Sequence, residues 1–297
     1  MSLLSTPTGR PERVFSLVSL VRALGGRVKS SDAKEWLAPQ YRSAEATTQK
    51  SGDRVREVFR VARDLKLLHA DQDDWVSTSE LPATRRGLAL HVHAHLCSLS
   101  PEDPDTVLLR AYAWCVAYAE ANGTAVLITK TASALASEIA AALGRAEEGD
   151  DDKSFNTTKL SAWKDWMAFL GLGWNDLPGT TGFLPDPSRR IEEELVILTS
   201  HGPRVEAELF VEAIARLLPY LDGGLLFEEA CANGLPRPPK GRLSRILSQA
   251  LRALEANEVL RCEMEGDAKK GIALFPDPLS LTNAFSHIER LPGADHV

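Results

Sequence analysis

GDRVREVFRVARDLKLLHADQDDWVST, residues 52–78, decides how this chain is read. In its first half Val55, Val58, Phe59 and Ala62 recur at helical spacing, which predicts a helix over 52–65 with one apolar stripe. Its second half reads as two short strands, 67–70 and 75–78, joined by an acidic polar turn. Upstream, Val14, Leu17, Leu20, Val21 and Leu24 mark another helix, stopped by Gly25-Gly26. Ser31-Asp32 then supplies an N-cap for a short helix through Trp36 and Leu37, closed by Pro39. Three helices followed by a hairpin is the order of a winged helix-turn-helix, in which the third helix enters the DNA major groove.

The same order recurs twice. TVLLRAYAWCVAYAEANG (106–123) and ASALASEIAAALG (132–144) read as helices, and an acidic loop, AEEGDDDK, follows. A third helix begins near Asn156 and carries Leu160, Trp163, Trp166, Met167 and Leu170. LGWNDLPGTTGFLPDP (172–187) then supplies two strands around a Pro-Gly turn. Further on, helices are expected over 205–218, over 225–232 and within RPPKGRLSRILSQALRALEANEVL (237–260). A hairpin with a charged tip is expected over 259–275. Two strands end alike, at Pro185-Asp186-Pro187 and Pro276-Asp277-Pro278, and each is expected to lead into another helix. The fold class is therefore mainly α with short β-hairpins: three consecutive winged helix-turn-helix-like units, 1–82, 83–200 and 201–297.

Phosphate contact requires arginine or lysine on an exposed helix face or a wing. In the first unit Arg54, Arg56, Arg60, Arg63 and Lys66 are the candidates; Arg56, Arg60 and Arg63 share one face, away from the apolar stripe. In the last unit Lys240, Arg242, Arg245 and Arg252 precede or lie on the third helix, and Lys269 and Lys270 sit at the wing tip. Solvated faces with intrahelical ion pairs are the competing reading of these residues. Net charge is −7 over the whole chain, but residues 1–80 hold 13 Lys+Arg against 11 Asp+Glu, so basic patches are local and the middle run is acidic.

Chemistry-bearing motifs are few. His91, His93 and His95, with Cys97 beyond, form a metal-like cluster, but zinc wants four ligands in closed geometry and no clear fourth is encoded; a helix surface bearing neutral histidines is the preferred reading. The carboxylate runs Glu192–Glu194 and Asp150–Asp152 read as solvated charge, not as an acid/base pair. Phosphate-binding glycine loops, nucleophile elbows and zinc-protease motifs are missing from the sequence, so no catalytic site, cofactor or metal is assigned and the chain is read as not an enzyme. The four scattered cysteines, without a C-x-x-C pair, read as reduced and mostly buried. No uncharged apolar run reaches the roughly 18–20 residues of a membrane span and the N-terminus has no signal-peptide pattern, which predicts a cytoplasmic protein with no membrane contact.

The succession of units, together with GWNDLPGTTGFLPDPSRRIEEEL (173–195), resembles the DpdG-type accessory components of bacterial deazaguanine DNA-modification and phage-defence clusters. That resemblance implies a non-enzymatic member of a defence complex, working beside other subunits such as an ATPase or nuclease. Two functions follow as expectations: a DNA-binding adaptor or regulator that contacts double-stranded DNA, and a protein–protein scaffold that uses winged-helix units without touching DNA.

Overall fold

A computed structural model describes residues 3–5, 9–37, 48–144, 155–175, 181–200, 202–266, 271–280 and 282–292. The chain is mainly helical with small antiparallel sheets. In order it forms α1 (Pro11–Ala23), β1 (Arg27–Lys29), α2 (Ser30–Leu37), α3 (Thr48–Asp64), β2 (Leu68–Asp71), β3 (Asp74–Ser77) and α4 (Arg85–Cys97). Then come α5 (Val107–Asn122), α6 (Thr124–Thr129), α7 (Ala132–Ala142), α8 (Thr157–Phe169), β4 (Gly173–Trp174), β5 (Leu184–Pro185) and α9 (Ser188–Leu198). The last part holds β6 (Arg204–Glu206), α10 (Ala207–Leu217), α11 (Leu225–Ala232), α12 (Arg245–Ala256), β7 (Leu260–Glu263), β8 (Ile272–Ala273), β9 (Ala284–Phe285) and β10 (His287–Arg290).

These elements form two compact units. The first contains residues 1–106 and 158–170, the second 107–157 and 171–297. α4 and α8 fall in the first of these, and α5, α6, α7 and α9 in the second.

The first unit is organised by α1 and α3, whose apolar stripes face each other. Val14, Leu17, Val18 and Val21 are buried on α1, and Val55, Val58, Phe59 and Ala62 on α3. α1 ends in Gly25 and Gly26, both at positive φ, a backbone that glycine adopts without a side-chain penalty. Immediately after, Arg27-Val28-Lys29 forms an edge strand the sequence did not announce, because a single inward Val28 is too short a pattern to read. β1 pairs antiparallel with β3, and β3 with β2, giving the order β1-β3-β2. Phe59 stacks on Trp75 at 4.6 Å, and the Trp75 indole donates to Ser30 Oγ at 3.0 Å, so the hairpin is fixed to α3 and to the start of α2.

The second unit is built around α5, which is buried along most of its length. Tyr112 of α5 meets Tyr220 and Phe183 edge-on, at 5.1 and 6.3 Å. Gly182 lies so close to α6 that an added Cβ would overlap the Leu127 carbonyl oxygen, which explains the glycine before Phe183-Leu184-Pro185. The three-stranded sheet of this unit has the order β6-β10-β7, with Ile288 standing between Val205 and Cys262.

Three sequence expectations fail here. Residues 259–275 are not a hairpin: β7 pairs with β10, while β8 pairs with β9. Pro276-Asp277-Pro278 leads into β9 and β10 instead of a helix, since the buried Ile288 is needed to complete the sheet. Val205 does not begin a helix; it lies in β6, and α10 starts at Ala207.

Candidate nucleic-acid interface

α3 carries its basic residues on the side turned from its core stripe. Arg56 and Arg63 are exposed and Arg60 is half-buried, while Val55, Val58, Phe59 and Ala62 face inward. Arg54 lies on the same helix, but its side chain falls outside the described residues. The helix ends in a Schellman-type closure: Leu67 N–H donates to Ala62 O at 2.9 Å and Lys66 N–H to Arg63 O at 2.9 Å, with Lys66 at φ +60°. That left-handed turn leaves the exposed Lys66 directly after the arginine face. Arg63 contacts its neighbour Asp64 at 3.1 Å, an exposed pair that water screens. The hairpin tip is of the opposite sign. Asp71, Asp73 and Asp74 stand there, and Arg27 holds Asp71 at 2.7 Å and Asp74 at 2.9 Å.

The basic residues of the second unit are placed differently. Lys240 is exposed in the loop before α12; Lys269 and Lys270 lie outside the described residues. Arg242 forms an ion pair with Glu120, and its guanidinium sits 4.9 Å from the Phe275 ring centre. Arg245 stacks over the same ring at 3.8 Å. Arg252 donates to two backbone carbonyls, Phe275 O at 2.8 Å and Thr282 O at 3.1 Å. Along α12 only Gln249 and Ala256 are exposed. The structure thus brings Arg242, Arg245 and Arg252 together, but around an in-chain phenylalanine.

Polar groups missed by the sequence reading hold the start of α12. Ser244 caps it, its Oγ accepting from Leu247 N–H. The buried carboxylate of Asp222 accepts from Ser244 N–H at 2.5 Å and from Ser244 Oγ at 2.6 Å, and Glu120 accepts from Arg245 N–H at 2.8 Å. Burial pushes the Asp222 carboxyl up to about 6, against hydrogen bonds from Ser244 that pull it down. The serine ahead of the Ile246-Leu247 apolar run was a legible cap signal; its acidic partners, far away in sequence, were not.

Glu192–Glu194 is corrected as well. Arg190 is fully buried and ion-paired with Glu193 and Glu194, whose carboxylates are largely enclosed, so this is an internal charge cluster of α9, not a solvated run. Asp150–Asp152 lie outside the described residues. The three histidines of α4 diverge: His91 Nε2 meets Leu65 O at 3.0 Å, His93 is buried beside Cys97 Sγ at 3.6 Å, and His95 is half-buried with its pKa lowered, chiefly by burial. Burial also raises the thiols of Cys231 and Cys262, to about 11 and about 12. No described helix is long and apolar enough to cross a membrane.

A protein-family model described as DpdG-like matches residues 1–268. The chain belongs to the DpdG-like family. The family match takes in α3 and its hairpin, the Gly173–Pro187 phrase, and α12 with β7; β8, β9 and β10 lie past its end. Neither the curated proteins nor the solved structures yield a match.

Proposed function

We propose that the protein is a non-enzymatic DNA-binding adaptor or regulator of a bacterial DNA-modification or phage-defence complex, working beside subunits such as an ATPase or nuclease, and that its first unit makes the DNA contact. Membership of the DpdG-like family supports the setting. The observation that carries the DNA contact is the basic face of α3, with Arg56 and Arg63 exposed, Arg60 half-buried and the exposed Lys66 directly after the helix, in an element order α1-β1-α2-α3-β2-β3 with sheet order β1-β3-β2. That order supports reading the first unit as a winged helix, a fold in which the third helix lies in the major groove. The acidic hairpin tip repels phosphate, so the helix face, not the wing, contacts the DNA backbone. The order α9-β6-α10-α12-β7-β10, with sheet order β6-β10-β7 and with α11 and the β8–β9 hairpin interposed, supports the same reading for the second unit.

The test is duplex-DNA affinity against salt. Four neutralised phosphates give a log–log slope of about −3 to −4. A slope near zero, or no binding at low salt, rejects the reading. A protein–protein scaffold is the second reading, favoured by the net charge of −7 and by the exposed Val196, Ile197 and Leu209 on α9 and α10. Stable co-purification with the products of neighbouring genes, in protein that leaves duplex DNA unbound, selects it.

A further inference from the structure

We propose that the loop joining β8 to β9 masks a second DNA-binding face on α12, built from Arg242, Arg245 and Arg252 and suited to the phosphodiester backbone of a duplex. The inference rests on the winged arrangement proposed for the second unit, in which α12 occupies the place α3 has in the first.

Three arginines converge on one phenylalanine. Arg242 and Arg245 stack on Phe275, and Arg252 clasps the Phe275 and Thr282 carbonyls. Ser248 Oγ accepts from Phe275 N–H at 2.8 Å, and Thr282 Oγ1 donates to Glu255 at 3.1 Å, so the loop is strapped along the helix at both of its ends. The charge of this patch is only partly cancelled. Only Arg242 has a carboxylate partner; among the described residues Arg245 and Arg252 form no ion pair. The Nε groups of all three arginines are buried and donate to no acceptor among the described residues. A clasp evolved only for packing is as well served by apolar side chains, which leave no donor unspent.

The covering layer is thin. Pro276, Pro278 and Leu279 at its tip are exposed, Leu279 to 93%. Arg245 and Arg252 lie seven residues apart, on one side of α12, so lifting the loop opens a single basic stripe bordered by Arg242. Phosphate oxygens then replace the ring face and the two carbonyls as partners of the guanidiniums, with the stronger, charge-assisted geometry arginine favours.

The experiment uses the full chain and a fluorescein-labelled duplex, read by anisotropy over a salt series. Phe275→Ala is expected to bind at least five-fold tighter than the wild type, with a steeper salt slope, and Arg245→Glu added to it is expected to erase the gain. Phe275→Leu, which keeps apolar bulk but loses the ring, is expected to show a smaller gain; it carries the test if Phe275→Ala does not fold. A variant with wild-type melting and near-ultraviolet circular dichroism that binds no tighter overturns the proposal. Repeating the series with Arg60→Glu separates the two readings. If α3 does not contact DNA, Arg60→Glu changes nothing while the Phe275 gain persists. If the loop masks nothing, the Arg60-sensitive binding stands alone.

Discussion

α3 with its sheet and α12 with its sheet are two versions of one local plan put to different use. Each follows a three-residue strand with one inward valine, Val28 in β1 and Val205 in β6, that runs straight into a helix. Each third helix closes with a six-residue Schellman bond, Leu67 N–H to Ala62 O and Val259 N–H to Leu254 O, both 2.9 Å. Each places a charged residue at the left-handed position, Lys66 at φ +60° in one and Glu258 at +56° in the other. The difference is in what lies against the outer face. α3 leaves Arg56, Arg63 and Lys66 exposed, whereas α12 is packed against α5, α9 and the β8–β9 loop, and Arg242, Arg245 and Arg252 bind Glu120 and that loop. A shared backbone plan therefore does not imply a shared surface; the surface depends on which later elements fold back over the helix.

The sharpest way to break the comparison is charge reversal on the open helix. Arg56→Glu, Arg60→Glu and Arg63→Glu together are expected to weaken duplex binding by about 100-fold or more at low salt and to flatten the salt slope by about 3, since each phosphate contact contributes about one unit. Thermal melting is expected to move little, because Arg56 and Arg63 are exposed and Arg60 is no more than half-buried. If binding survives, α3 is not the contact.

The next effect belongs to the covered helix alone. Asp222, which pins the start of α12 through Ser244, is raised from 3.8 to about 6 by burial. Well below pH 3.8 it is protonated in both folded and unfolded chains. Between pH 4 and 6 the unfolded chain ionises first, so the stability this group contributes falls through that window, by about 3 kcal/mol in all. Urea unfolding of wild type and Asp222→Asn over a pH series checks the sign: the stability of Asp222→Asn relative to wild type rises between pH 4 and 6, then levels. A difference that stays flat across the window rejects the buried, proton-holding carboxyl.

A third test asks whether the two arginine sets differ in kind. Arg252→Ala is expected to cost about 2 kcal/mol of stability, because it removes two hydrogen bonds to backbone carbonyls and the packing of a half-buried stem. Arg63→Ala is expected to cost under about 0.5 kcal/mol, its partner being an exposed neighbour. Equal costs in chemical denaturation erase the distinction between open and covered faces.

Much of this plan was legible. α1, α3 and the β2–β3 hairpin follow from apolar periodicity and from Gly25-Gly26, because their contacts are local in sequence. β1, β6 and β10 were not, since three or four residues with one inward apolar side chain carry no period, and their pairing is set by strands distant in the chain. The basic stripe of α3 could be read because exposure follows from the opposite apolar stripe. The fate of Arg242, Arg245 and Arg252 could not, for Glu120, Phe275 and Thr282 reach them only once α5 and the β8–β9 hairpin have packed.

The smallest effect probes the shared closure itself. A side chain at left-handed φ costs about 1–2 kcal/mol, and glycine removes that cost while adding about 0.5–1 kcal/mol of unfolded-chain entropy. Lys66→Gly and Glu258→Gly are thus each expected to stabilise the protein by about 0.5–1 kcal/mol, since both sites are exposed and share one backbone geometry. Their effects on DNA must part. Lys66→Gly removes one cation from the α3 face and is expected to lower affinity a few-fold and reduce the salt slope by about one; Glu258→Gly is expected to leave both unchanged. A matched rise in melting temperature with divergent binding confirms one backbone plan with two surfaces. If the two variants bind DNA alike, Lys66 lies outside the contact and the interface shrinks to the three arginines before it.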